Sequence, residues 1–331
     1  MGIANRVRHV CGVGVAAVLL SGCGVFGADS YSLAEELHYL PDPPDAQTTL
    51  VLAVDITAVE EIFGERPGRE VFSDQDDVEA ASHDWLARVH GYGDVGEDAP
   101  TLGPYFPPYI QQQMNARGPS QGLEQDTGFS LTDIDRGMGV VGHNVREVYE
   151  GEDLQERITS ALGDPEEAVW ELADDLHITQ ADGRFLLRDG DLAEDQLEGD
   201  DLAMIADDPE ALAVAESLDE LDWYTAQMMH LDVDQESDQD YEYNWWGHSF
   251  AVEGSDGDYT YIVHQVWYYF DADEAEDSIS RWGSEFMELR EQLGITDFEA
   301  DADGQVVTVR IEMDEPHTVV QQQVNTFDWP Y

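Results

Sequence analysis

The spacing of apolar and polar positions divides the chain into recognisable elements. Val10 to Leu20 is an unbroken apolar or small run of eleven residues. A hydrocarbon core needs ~20 helical residues, so this run is too short to span a bilayer and has the length of a secretory h-region. Downstream, "TTLVLAVDI" (48–56) has the continuous apolar pattern of a buried strand, and Val59, Ile62 and Phe63 then fall on one side of a short helix. Between Gly91 and Gly128 the pattern gives way to Gly, Pro, Gln and acids, a long excursion with one short helix expected at 109–116. "REVYEG" (146–151) reads as a strand, after which Leu154, Ile158 and Leu162 recur at helical spacing until Gly163. Asp164, Pro165 and Glu167 form a capping arrangement for a further helix. "GRFLL" and "LAMIA" read as strands, and Asp208-Pro209 opens another helix.

The C-terminal third is the most regular. Strands at 241–253 and 258–270 flank "GSDG", a hairpin signal. Asp271 and Glu274 open a helix whose Ala275, Ile279, Trp282, Phe286, Leu289 and Leu293 share one face, and Gly294 ends it. A strand at 304–313 and a short helix from Pro316 follow. This β-β-α-β-α order predicts an α+β fold: antiparallel sheet with helices packed on one face and a ferredoxin-like C-terminal lobe. The stretch from Arg146 to His230 has a similar rhythm, which leaves two related lobes open, without a residue-level repeat.

Charge changes this picture mainly at the surface. The chain has 73 acidic and 14 basic residues, a formal net charge of -59, and every basic residue is arginine. Such repulsion is strong at a Debye length of ~10 Å and is screened at ~3 Å near 1 M salt, so a halophilic setting is expected. With 42% hydrophobic and 10% aromatic residues there is ample material for a core, which excludes disorder for most of the chain. Nucleic acid is excluded as a partner, because phosphate binding needs concentrated positive charge. Six acids alternate strictly, namely Asp232, Asp234, Glu236, Asp238, Asp240 and Glu242. They read as a solvated linker rather than a cation ladder.

The N-terminus supplies the clearest address. Arg6, Arg8 and His9 precede the apolar run with no acid, and the run ends in Leu20-Ser21-Gly22-Cys23. This tetrapeptide resembles the lipobox of bacterial lipoproteins, which implies that Cys23 is diacylated and becomes the first residue after cleavage. Two acyl chains meet the requirement for stable anchoring. The only other cysteine, Cys11, lies within the signal, so no disulfide is expected in the mature protein. With the Pro-rich tether, the lysine-free acidic composition and "GFSLTDIDR" (128–136), the chain resembles secreted lipoproteins of actinobacteria. That resemblance implies attachment to the outer face of the cytoplasmic membrane and no particular activity. The expected layout is a signal peptide (1–22), lipidated cysteine and tether (23–47), N-terminal α+β lobe (48–230), acidic linker (231–242) and C-terminal lobe (243–331).

Catalytic and metal motifs do not survive inspection. Gly118-Pro119-Ser120-Gln121-Gly122 matches G-x-S-x-G, but the strand that must lead into a nucleophile elbow is missing. Glu79, His83 and His90 stand at helical spacing without a further ligand motif. "EADADGQVV" (299–307) would put Arg310 where a calcium loop needs its bidentate Glu, so it reads as a β-turn. No cofactor or metal is expected. The residues singled out are aromatic: Tyr243, Trp245, Trp246, Tyr259, Tyr261, Trp267 and Tyr269, with neighbours on both faces of two strands. Both faces must then pack, against the 272–293 helix on one side and against the N-terminal lobe, a partner or a flat ligand such as a sugar on the other. The expected function is a non-catalytic binding or scaffolding lipoprotein with an envelope protein or glycan as partner. A carboxylate-based envelope hydrolase and a transporter's solute-binding lipoprotein are the alternatives.

Overall fold

The structure is a computed structural model and describes residues 31–43, 48–64, 66, 85, 89, 104–110, 127–141, 145–165, 169–172, 176–189, 203–231, 243–255 and 258–314. The helices are α1 (Leu33–Glu36), α2 (Ile56–Phe63), α3 (Leu154–Leu162), α4 (Pro209–Leu218) and α5 (Ala272–Leu293). The strands are β1 (Thr48–Asp55), β2 (Arg136–Val141), β3 (Arg146–Glu150), β4 (Val169–Glu171), β5 (Leu176–Ala181) and β6 (Arg184–Asp189), then β7 (Trp223–Leu231), β8 (Tyr243–Ser255), β9 (Asp258–Tyr269), β10 (Ile295–Asp303) and β11 (Val306–Met313). All eleven join one sheet in the order β10-β11-β9-β8-β7-β1-β2-β3-β6-β5-β4, every neighbouring pair antiparallel. The fold is α+β.

The strand order is a duplication. β1, β2, β3, α3, β5 and β6 lie in the sheet as β1-β2-β3-β6-β5, and β7, β8, β9, α5, β10 and β11 lie as β7-β8-β9-β11-β10. The two halves meet at the antiparallel β1–β7 pair, where Leu52 faces Gln227, so an approximate two-fold runs through the sheet there. Register supports the equivalence. Glu147 sits seven residues before the first residue of α3, Gln265 seven before that of α5, and each helix is preceded by an aspartate, Asp153 or Asp271. Ile178 and Leu187 stand four residues either side of the Asp182-Gly183 turn, as Ala300 and Val309 do about Gly304-Gln305. In this order β7 lies beside β8 and runs with the strands of the C-terminal half. A ferredoxin-like lobe runs β-α-β-β-α-β; each described repeat instead has three leading strands and one crossover helix.

Helices cover both faces of the sheet rather than one. On the first face α2, α3 and α5 bury Val59, Ile158 and Trp282 against Val54, Phe185, Phe250 and Trp267. On the second, α1, the 3-10 turn Leu37–Tyr39 that follows it and α4 bury Leu33, Leu37, Val214 and Leu218 against Val51, Met138, Met228 and Trp245. Strands sandwiched this way are apolar on both sides, which explains why β1 reads as a continuous run. An alternating ladder ties α1 to the sheet: Asp55 to Arg136 at 3.4 Å, Arg136 to Glu150 at 3.5 Å, Glu150 to Arg184 at 3.4 Å, and Arg184 to Glu36 at 2.7 Å.

Several local expectations need correction. The Asp164-Pro165 signal opens no described helix; Val169–Glu171 pairs with β5 instead, since Val and Trp suit a strand that buries one face. "LAMIA" yields one bridge, Met204 to Pro41, and then a 3-10 turn. The 299–307 segment is the end of β10 and the turn to β11, with Gly304 at φ 64. β2, β5, β7 and β10 are additional strands. The acidic run 232–242, the Glu79/His83/His90 set, the GPSQG segment, the helix expected from Pro316 and Cys23 lie outside the described residues.

Candidate functional site

Backbone pairing aligns one residue from every strand in a single row on the first face, from Trp170 on β4 to Ala300 on β10. Residues directly opposite in a sheet project to the same side. The ends of this row are apolar. Its middle is not: Glu147 on β3, Gln227 on β7, His248 on β8 and Gln265 on β9 are all buried.

Segment 104–110, "PYFPPYI", straps across this row. Two glycines of β2 let it approach: a Cβ on Gly139 would lie 2.8 Å from Glu147 Cγ and 3.0 Å from Pro108 Cδ, and one on Gly137 would meet Tyr149 at 3.1 Å and Pro107 at 3.2 Å. The Tyr105 N–H donates to Thr225 Oγ1 at 2.7 Å, and the Tyr105 hydroxyl lies 3.1 Å from His248 Nε2. At the other end the Tyr109 N–H donates to Glu147 Oε1 and the Tyr149 hydroxyl to Oε2.

Burial sets the protonation states. It pushes the Glu147 carboxyl up to about 8, against the lowering effect of the Tyr109 N–H. It pushes His248 down to about 3. Near neutral pH the carboxyl is protonated and the imidazole neutral, so the row carries hydrogen-bonding groups and no net charge. Three of its buried atoms have no hydrogen-bond partner: Gln265 Oε1, Gln265 Nε2 and His248 Nδ1. An orphaned buried polar group costs ~1–3 kcal/mol, and folded proteins leave few of them.

The row offers a donor, an acceptor and a ring nitrogen on adjacent strands, which suits the hydroxyl or amide groups of a small neutral molecule. It does not assemble two carboxylates. Among the described buried residues the acids are Glu36, Asp55 and Glu147, and the first two belong to the opposite face. Among the described residues no group of three or more His, Cys, Asp or Glu could hold a metal ion.

The aromatic residues expected to form a binding surface are core. Tyr243, Trp245, Trp246, Trp267 and Tyr269 are all buried, and Tyr259 and Tyr261 are half-buried against the same core. Trp267 stacks on Trp282 of α5 at 4.7 Å, while Trp245 turns to the second face and donates from Nε1 to Asp208 Oδ2 at 2.8 Å. Helices on both sides therefore take up both aromatic faces. The large apolar side chains left exposed among the described residues, Val141, Leu162 and Phe270, are in separate places. Trp246 does reach the polar row, stacking on His248 at 5.7 Å.

Sequence reading missed Glu147, Gln227, His248, Gln265 and Tyr105. A weak signal exists: "HSF" and "HQV" put a histidine or glutamine among apolar and aromatic residues of strands already expected to be buried on both faces. Nothing local marks Glu147, one of 73 acids. Comparison with known families, curated proteins and solved structures gives no match.

Proposed function

We propose that the chain is an extracytoplasmic lipoprotein, held to the outer face of the cytoplasmic membrane through lipid on Cys23, whose folded part binds a small uncharged molecule in the polar row. The observation that carries the binding role is Gln265: its amide is fully buried in mid-sheet with neither end partnered, beside a histidine nitrogen in the same state. A ligand with paired hydroxyl or amide groups, such as a sugar unit of the envelope, would satisfy all three atoms. The neutrality of the row argues against a charged ligand there. The anchoring role is supported by Leu20-Ser21-Gly22-Cys23 behind a basic, apolar leader. Among the described residues no helix is long and apolar enough to cross a membrane.

The test is thermal unfolding in about 2 M salt, where carboxylate repulsion is screened, with and without neutral wall sugars, for wild type and Gln265→Leu. A sugar at 100 times its Kd should add ~2.7 kcal/mol to wild type. Gln265→Leu should melt higher on its own and lose the response. If no sugar shifts wild type more than the variant, the row is not a sugar site.

A further inference from the structure

The two repeats differ at their outer edges. In the first, β4 lies outside β5, with Val169 opposite Thr179, Trp170 opposite Ile178 and Glu171 opposite His177. Trp170 is buried on the first face and meets Phe185 at 6.3 Å, so this short strand closes the core at that end of the sheet. In the second repeat β10 stands where β5 stands in the first, and among the described residues no strand pairs with its outer edge. Connection length explains the difference. Residues 163–175, between α3 and β5, supply β4, whereas Gly294 alone separates α5 from β10 and leaves no chain for an equivalent strand.

β10 has the form of an inner strand. It runs from Ile295 to Asp303 without proline, and its one irregularity is at its start, between Ile295 and Asp297. A strand paired on one side only presents a row of backbone N–H and C=O groups that readily take up another strand. Its side chains alternate. Phe298, Ala300 and Ala302 pack half-buried against the first-face core, while Asp297, Glu299, Asp301 and Asp303 are exposed on the second face, about 7 Å apart. Register places Glu299, Ala300 and Asp301 where the first repeat has His177, Ile178 and Thr179, the three residues that β4 covers. A strand in the position of β4 would set two residues opposite Glu299 and Asp301 and one over Ala300 between them. A second copy of β10 does not fit. Antiparallel pairing about a two-fold would oppose acid to acid along the second face, and like charges directly opposite destabilise a sheet.

We propose that the outer edge of β10 binds an extended segment of a partner protein, added as a further strand, in which a large apolar residue covers Ala300 and is flanked by basic residues facing Glu299 and Asp301. Backbone pairing supplies the attachment, and the alternating side chains supply the choice of partner. Trp170 over Ile178 shows the apolar half of the arrangement within this chain, and cross-strand pairs of opposite charge supply the other half. The segment comes from another protein. Within this chain two basic residues flank a single residue only at Arg6-Val7-Arg8, inside the expected leader. The edge is a different surface from the neutral polar row and stands or falls independently of it.

The test is fluorescence anisotropy of a labelled synthetic peptide, alternating lysine with valine around one central tryptophan, titrated with the full chain in 1 M salt. That salt screens the general attraction of an acidic surface for cations to ~3 Å. The peptide should bind. Of two versions with every second backbone nitrogen methylated, one should lose binding, because only one set of N–H groups faces β10. Glu299→Lys/Asp301→Lys should weaken binding about tenfold or more, while the charge-matched Glu276→Lys/Asp277→Lys on α5 should leave it unchanged. All four carboxylates are exposed, so both variants should melt as cooperatively as wild type. No binding, or binding that survives both methylated versions or Glu299→Lys/Asp301→Lys, would overturn the proposal. A protein that sedimented as a dimer and refused the peptide would give the edge to a second copy, and binding that appeared only after removal of residues 315–331 would give it to the chain's own end. Either would overturn the proposal too.

Discussion

Replacing Glu147 by glutamine should make the protein more stable at alkaline pH and leave it nearly unchanged in acid. Folding moves this carboxyl from its ordinary 4.5 to about 8. At 1.36 kcal/mol per pH unit, that corresponds to ~5 kcal/mol. The sign follows from proton counting. Between pH 4.5 and 8 the unfolded chain has released the proton and the folded chain keeps it, so each rise in pH favours unfolding. Glutamine retains the acceptor for the Tyr109 N–H and can donate to the Tyr149 hydroxyl oxygen, but it has no proton to lose. Denaturant titrations followed by tryptophan fluorescence, at several pH values from 4.5 to 9 in high salt, give the difference between variant and wild type. Background repulsion among the remaining acids is common to both and cancels. The difference should grow by about 1.4 kcal/mol per pH unit up to pH 8 and then level off. A difference that stays flat across the range would refute the buried, protonated carboxyl.

Other outcomes follow from single contacts. Trp267→Ala removes the ring stacked on Trp282 and should cost ~3–5 kcal/mol by denaturant titration, where an exposed binding surface would cost little. His248 is held down to about 3, so stability should fall as pH drops from 6.5 toward 3, and His248→Gln should flatten that acid limb. Gly151→Ala would bring a Cβ within 2.1 Å of the Asp133 carbonyl oxygen; backbone must move, and a loss of ~1–3 kcal/mol or more is expected. Raising salt from 0.1 to 1 M shortens the Debye length from ~10 to ~3 Å, and the melting temperature should rise with it.

How far the fold was legible depended on whether an element advertised itself locally. α5 and the β8–β9 hairpin did, through long apolar faces, an aspartate cap and a Gly294 stop in left-handed conformation. β2 did not, because Arg136-Gly137-Met138-Gly139 lacks strand-forming side chains. Its glycines answer to the strap of Pro107 and Pro108 above them, a contact between distant segments. β7 was hidden for a related reason: at the middle of the whole sheet, where the two repeats meet, it is buried on both sides, and Thr225 and Gln227 interrupt its apolar run. The Asp182-Gly183 turn, a two-residue loop with both residues at positive φ joining β5 to β6, carries a hairpin signal that the sequence reading passed over along with β5. The duplication could not be read from residues at all, since equivalent positions hold Gly139 and His248, or Glu147 and Gln265. Only register reveals it, and with it the polar row of the first face, which places Gln227, His248 and Gln265 where the first repeat has Leu52, Gly139 and Glu147.

Anchoring at Cys23 is the claim on which the protein's place in the cell depends, and the mass of its N-terminal peptide tests it directly. The protein should be expressed in a bacterium that processes lipoproteins, recovered from membrane and soluble fractions, digested and weighed. The account predicts a membrane-bound chain that begins at Cys23, with the mass of a diacylglyceryl group on that residue. A soluble chain with a free Cys23 thiol, or one that still carries residues 1–22, would contradict it.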